Sequence, residues 1–199
     1  MSEKKSSFDQ PVNNEVGLLI IAICVIGFIM IPAQNIFDAL SLEQSYLSSS
    51  LGVETQNWLI SYVQPSINAV FSDIQPTMNE LKIGWLNGWI TDRIYALSGW
   101  ISLIIYRSFT LMMWGGIMTP LFLAVAIDAY FVREISKSTF SSQSPLRHNI
   151  GNVANRIFFL AAPLWIVAPI GMPIFLAPAL VMIIIIGLWF WISNMQKRV

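Results

Sequence analysis

The chain alternates between apolar runs without charge and polar stretches that hold nearly all of its ionisable residues. Residues 16–37 and 108–127 are uncharged, and a third uncharged run, residues 157–195, is too long for a single membrane crossing. A transmembrane helix needs about 20 mainly apolar residues. The pattern therefore predicts an all-α integral membrane protein.

The third run contains a break at Pro169–Pro173, where proline and glycine favour a turn. We therefore expect a membrane hairpin over 157–195, with limbs at about 157–168 and 174–194. These limbs are the third and fourth of four predicted transmembrane helices. The first limb is short and contains Pro163, so it either crosses fully or is tilted, kinked or partly inserted.

The first run has two interpretations. Lys4 and Lys5 precede an apolar core, as in a cleaved signal peptide. However, Asp9 and Glu15 lie between those bases and the core, and no small-x-small cleavage site follows it. The sequence favours a retained first span over residues 16–37.

Orientation follows from the basic residues near the spans, because Lys and Arg concentrate in cytoplasmic connections. Four spans place eight of the eleven bases on one side: Lys4, Lys5, Arg133, Lys137, Arg147, Arg156, Lys197 and Arg198. Both termini are then cytoplasmic. The predicted order is N-terminus 1–15, first span 16–37, external helical segment 38–106, second span 107–128, cytoplasmic connection 129–156, hairpin 157–195 and basic tail 196–199.

Apolar residues in the external segment recur at helical spacing between residues 59 and 74. Proline disrupts helix interiors, so Pro65 is expected to split this helix and Pro76 to end it. Residues 77–80 read as a capping box that opens the next helix. That helix either continues into the second span as a stalk or breaks near Gly99.

Composition narrows the possible chemistry. The formal net charge is zero, with one Cys (Cys24) and one His (His148). A net charge of zero excludes general electrostatic binding of nucleic acid. One cysteine excludes a disulfide framework, and one histidine excludes metal clusters built on paired histidines. Hydrolase, phosphate-binding and dinucleotide-binding motifs are absent from the sequence. We therefore predict a non-enzymatic protein with no catalytic, cofactor-binding or metal-binding residues and no cofactor.

Four charged residues are candidates for ion pairs at the membrane edges: Asp38, Arg107, Asp128 and Arg156. Arg107 either anchors the outer end of the second span by snorkelling or has a buried functional partner, with Asp38 the first candidate. Asp128 closes the inner end of that span, where Arg133 or Arg156 can neutralise it.

The cytoplasmic connection is the candidate partner-binding surface. It holds Arg133, Arg147 and His148, with apolar positions at the start of a helix that begins after Ser144. These features suit docking on an acidic or apolar groove. The alternative is simple retention by anionic lipid, worth about 1 kcal/mol per base near the surface.

The C-terminal half carries a resemblance. Asp128 ends a span, Val132-Arg133 and a serine-bearing loop follow, then His148, a proline-rich apolar hairpin and a short basic end. This order resembles the integrating conjugative element membrane protein family, a bacterial conjugation-associated family of unknown function, over about residues 107–199. Two features depart from that family's pattern. The family has a glycine after the Asp and then several arginines, whereas this chain has Ala129 and the single Arg133. Residues 143–145 stand where the family has an acidic residue and a serine before the His.

The resemblance implies a bacterial inner-membrane subunit of a conjugative DNA-transfer apparatus, of the type IV secretion or coupling kind. Its expected partners are membrane lipid, other conjugation proteins and the coupling ATPase. Direct binding of nucleic acid is not expected, and the protein can form an oligomer. The alternative is a small transporter or channel subunit. An intramembrane enzyme is disfavoured by the single His148 and by the lack of paired acids within spans.

Overall fold

A computed structural model describes residues 17, 18, 21, 22, 25–27, 30–80, 87–138 and 145–195. Every regular element in these residues is a helix, so the all-α prediction is confirmed. We number the helices α1 (Ala33–Leu51), α2 (Val53–Glu80), α3 (Asn87–Ile117), α4 (Thr119–Ser138), α5 (Pro145–Val167) and α6 (Leu176–Ser193).

Helices α1, α2 and α3 pack together around buried Leu47, Leu59 and Tyr106. Gly52 separates α1 from α2 with a φ of 88°, a left-handed conformation that glycine adopts without steric cost. Helix α2 runs through Pro65 and Pro76, so the predicted split and end are wrong. Pro65 is exposed while Leu59 and Val63 before it are buried, and packing of that face holds the helix together across the lost hydrogen bond.

Helices α3 and α4 follow one another end to end. The Met118 amide donates to the Trp114 carbonyl at 2.9 Å and the Phe122 amide to the Met118 carbonyl at 2.9 Å, so helical bonding continues through the turn at Met118. Pro120 has no amide hydrogen to reach Gly116, which explains the local interruption. The predicted second span, 107–128, therefore contains the end of α3, the turn at Met118 and the start of α4, with helical bonding continued across the turn. The helix before it is unbroken at Gly99.

Helices α5 and α6 form the C-terminal hairpin, and residues 168–175 link them at the predicted Pro169–Pro173 break. Helix α5 begins at Pro145, as the sequence predicts, and continues through Pro163 as one helix into the first limb of the hairpin. A Cβ atom added to Gly151 would lie 2.6 Å from the Trp191 backbone nitrogen, so only glycine permits this close approach of the two helices.

Three helices in the described ranges are long and apolar enough to cross a membrane: Gly88–Ile117, Leu146–Val167 and Leu176–Ser193. Large apolar side chains also face outward, for example Phe131 at 58% and Phe159 at 66% exposure. Exposed apolar surface of this extent is typical of lipid contact. Seven residues of the predicted first span, 16–37, and all of 1–15, 81–86, 139–144 and 196–199 lie outside the described residues.

Candidate functional site

Arg107 lies in the interior of the protein. It is on the third quarter of α3, its side chain is fully buried, and Glu43 of α1 faces it with 1% of its side chain exposed. Arg107 is therefore not a snorkelling anchor at a lipid-facing surface. Its partner is Glu43 rather than the expected Asp38, which instead accepts a long 3.5 Å hydrogen bond from Gln34.

The Arg107 guanidinium has five N–H donors, and each has an acceptor. Nε lies 3.1 Å from Glu43 Oε2, and Nη2 lies 2.5 Å from Oε1. The other Nη2 hydrogen reaches the Ile170 carbonyl at 2.5 Å. Nη1 donates to the carbonyls of Trp165 at 2.6 Å and Ala168 at 2.5 Å. A buried charge is tolerated only with this degree of pairing and hydrogen bonding.

The end of α5 provides these carbonyls because its helical bonding stops there. In a continuous helix the Trp165 carbonyl would accept from residue 169, which is proline and has no amide hydrogen. The Ala168 carbonyl would accept from Met172, but the Met172 amide donates to Glu43 Oε1 at 2.9 Å. The ion pair thus takes the place of a helical hydrogen bond: Arg107 binds the freed carbonyl and Glu43 binds the freed amide.

Three further contacts complete the site. The indole Nε1 of Trp100, on α3, donates to the Val167 carbonyl at 2.7 Å. The Trp165 ring lies 5.6 Å from the Arg107 guanidinium carbon, within the range of a cation–π interaction. Gly171 brings the link against α1, since an added Cβ would lie 3.4 Å from the Ala39 Cα. Side-chain donors thus satisfy four carbonyls of this irregular backbone among apolar helices.

The geometry makes this site a clamp that joins three elements: α1 through Glu43, α3 through Arg107 and Trp100, and the link between α5 and α6 through its carbonyls. All five N–H groups of Arg107 are in use, so the guanidinium has no donor left for a substrate. Among the described residues no group of three metal-binding side chains occurs.

The other predicted edge charges are placed differently from expectation. Asp128, on exposed surface of α4, accepts a 2.7 Å hydrogen bond from Trp189 Nε1 of α6. In the described part of the chain it forms no ion pair with Arg133 or Arg156. Arg156 is exposed on α5.

The predicted partner-binding residues lie on two helices. Arg147 is exposed near the start of α5, and His148 beside it is half-buried with a buried Nδ1 that has no partner among the described residues. Arg133 is half-buried on α4. No hydrogen bond within the described ranges joins Arg133 to Arg147 or His148.

Sequence analysis missed Glu43 as a site residue. A signal was present, because buried Ile36, Ala39 and Leu47 occupy the same face of α1 at helical spacing and Glu43 falls on that face. A carboxylate on an apolar helix face requires a buried partner.

No family model matches the chain, and neither a curated protein nor a solved structure matches it.

Proposed function

We propose that this protein is a non-enzymatic bacterial inner-membrane subunit of a conjugative DNA-transfer apparatus, acting by binding partner membrane proteins. The proposal includes four spans, cytoplasmic termini and a periplasmic segment between the first two spans. Its family component rests on the sequence resemblance over residues 107–199.

The arrangement of the hairpin supports this topology. Its link contacts Arg107, and Trp189 near its far end contacts Asp128. Arg107 and Asp128 are 21 residues apart, or about 31 Å along a helix at 1.5 Å per residue. This length is close to the roughly 30 Å thickness of the hydrocarbon core. This match in length supports the proposal that residues 107–128 and the hairpin cross the same slab, with Arg107 towards its periplasmic side.

The observation that carries the non-enzymatic proposal is the saturation of Arg107. An ionisable residue among membrane helices is by default a functional site. Here the charge is neutralised by Glu43 and its donors are all taken, so the clamp fixes the fold rather than passing a substrate. Function is then left to the accessible surfaces, among which the start of α5 carries the exposed Arg147 and the half-buried His148.

The buried pair also favours the alternative, a small transporter or channel subunit, because ion pairs that open and close occur in transport pathways. The variant Glu43→Gln distinguishes the two proposals. If the ion pair only holds the fold, the variant loses stability. If the pair is part of a transport pathway, the variant folds normally but loses solute flux in reconstituted vesicles.

Conjugation in a donor strain tests the leading proposal. We expect Arg147→Ala with His148→Ala to lower DNA transfer at least tenfold and to abolish co-purification of the coupling ATPase, with insertion unchanged. Arg156→Ala is the control, since it removes an exposed positive charge from the same helix nine residues away, on the opposite face. Transfer that equals the wild type in the double variant would overturn docking at this surface.

A further inference from the structure

Helices α4 and α6 leave an apolar groove between them that ends at a carboxylate. Its cavity has a volume of about 430 Å³. Leu121 and Val125 of α4 and Met182 and Ile186 of α6 line it, and Asp128 with Trp189 forms its end. The groove is therefore apolar along its length and polar at one end.

The lining residues of each helix follow one face, at positions 121, 124, 125 and 128 on α4 and 182, 185, 186 and 189 on α6. Both sets end at the hydrogen bond between Asp128 and Trp189, so the two helices run in the same direction along the groove. Each set spans eight residues, or about 10 Å of helix. That length accommodates part of an extended hydrocarbon chain.

The polar end of the groove carries negative charge. The Asp128 carboxylate is exposed, and within the described part of the chain its hydrogen-bond donor is the neutral indole of Trp189. An ionised carboxylate accepts several hydrogen bonds, so acceptor capacity remains.

We propose that this groove binds one phospholipid whose headgroup carries a primary ammonium. An acyl chain lies between α4 and α6, and the ammonium donates to Asp128. The choice of a cationic headgroup follows from charge complementarity with Asp128, and the choice of a lipid follows from the position of that charge at the cytoplasmic edge. The inference rests on the membrane topology proposed above and is independent of conjugation.

Native mass spectrometry of the full chain, released from bilayers of equal phosphatidylethanolamine and phosphatidylglycerol, tests the proposal. We expect one retained phosphatidylethanolamine per chain, and about a tenfold loss of its retention in Asp128→Asn, which corresponds to about 1.4 kcal/mol. Ala124→Phe should lower retention as well, because it fills the groove without changing charge. Phosphatidylcholine should not substitute, since its quaternary ammonium has no N–H.

Glu134→Gln is the control for charge, because Glu134 lies on the same helix and already pairs with Lys137. Its lipid retention should equal that of the wild type. Equal retention of both lipids by the wild type would overturn the proposal. So would a dimer that Asp128→Asn converts to monomers with unchanged lipid retention, since the groove would then hold a second copy of the chain.

Discussion

The environment of Arg107 determines which substitutions the protein can accept. The guanidinium is planar and presents its five donors in fixed directions, and here those directions lead to the Glu43 carboxylate and three carbonyl oxygens. Lysine carries the same charge but has three donors at a single point. A side chain that supplies only the positive charge therefore does not replace Arg107.

Arg107→Lys should destabilise the protein by about 2–4 kcal/mol, because at least two buried acceptors lose their donors. Unfolding of the detergent-solubilised protein measures this loss. Arg156→Lys, at an exposed position on α5, should leave stability within about 0.5 kcal/mol of the wild type.

Removing both charges gives a second test of the clamp. Glu43→Gln and Arg107→Met should each cost about 3–5 kcal/mol, since each leaves a charge buried without its partner. The double variant should lose less stability than the sum of the two single losses. It should still be less stable than the wild type, because the Trp165 and Ala168 carbonyls lack a donor. Double-variant stability equal to the wild type would show that these carbonyls do not depend on Arg107.

Trp100→Phe isolates the neighbouring carbonyl contact. The aromatic ring is kept, but the Val167 carbonyl loses the indole N–H that lies 2.7 Å away, at a cost of about 1–3 kcal/mol in unfolding free energy. The matched variant Trp58→Phe changes an indole that is half exposed, and we expect little effect. Equal losses in the two variants would contradict a specific role for Trp100.

At the scale of elements, local chemistry predicts where helices stop only when tertiary packing agrees with it. The stop at Pro169–Pro173 could be predicted from the sequence because proline has no amide hydrogen. Tertiary packing agrees with it, because donors on α3 bind the freed carbonyls. The stop at Pro65 did not occur because α2 buries Leu59 and Val63 on one continuous face. The pairing of Glu43 with Arg107, 64 positions apart, depends on how α1 meets α3, which helical periodicity alone does not specify.

The crossing of α5 and α6 depends on Gly151. Gly151→Ala should force the helices apart, because the added methyl would lie 2.6 Å from the Trp191 nitrogen and 2.8 Å from the Gly187 carbonyl oxygen. We expect a loss of about 1–3 kcal/mol in unfolding free energy. Gly116→Ala, where an added Cβ meets nothing within 4 Å, should be neutral or slightly stabilising. A neutral Gly151→Ala would mean that the helices do not touch at this point.

For the whole molecule, the clamp and the Asp128 contact hold the hairpin against α3 and α4 at two positions along its length. The hairpin link lies beside Arg107, and the far end of α6 lies beside Asp128. A hairpin that crosses the bilayer fully places the link and the C-terminal end of α6 on opposite sides. A hairpin that enters only part of the way keeps the link within the bilayer.

Single-cysteine labelling distinguishes these two topologies in a Cys24→Ala background. Asn68→Cys and Pro173→Cys should react with a membrane-impermeant maleimide in intact spheroplasts, because Asn68 is exposed on α2 and Pro173 is exposed on the link. Ser142→Cys and Lys197→Cys should react only after permeabilisation, since the excess of bases predicts that both are cytoplasmic. Labelling of Lys197→Cys in intact spheroplasts would exclude four spans. Labelling of Pro173→Cys only after permeabilisation, with Asn68→Cys accessible, would instead show that the clamp does not hold the link at the periplasmic edge.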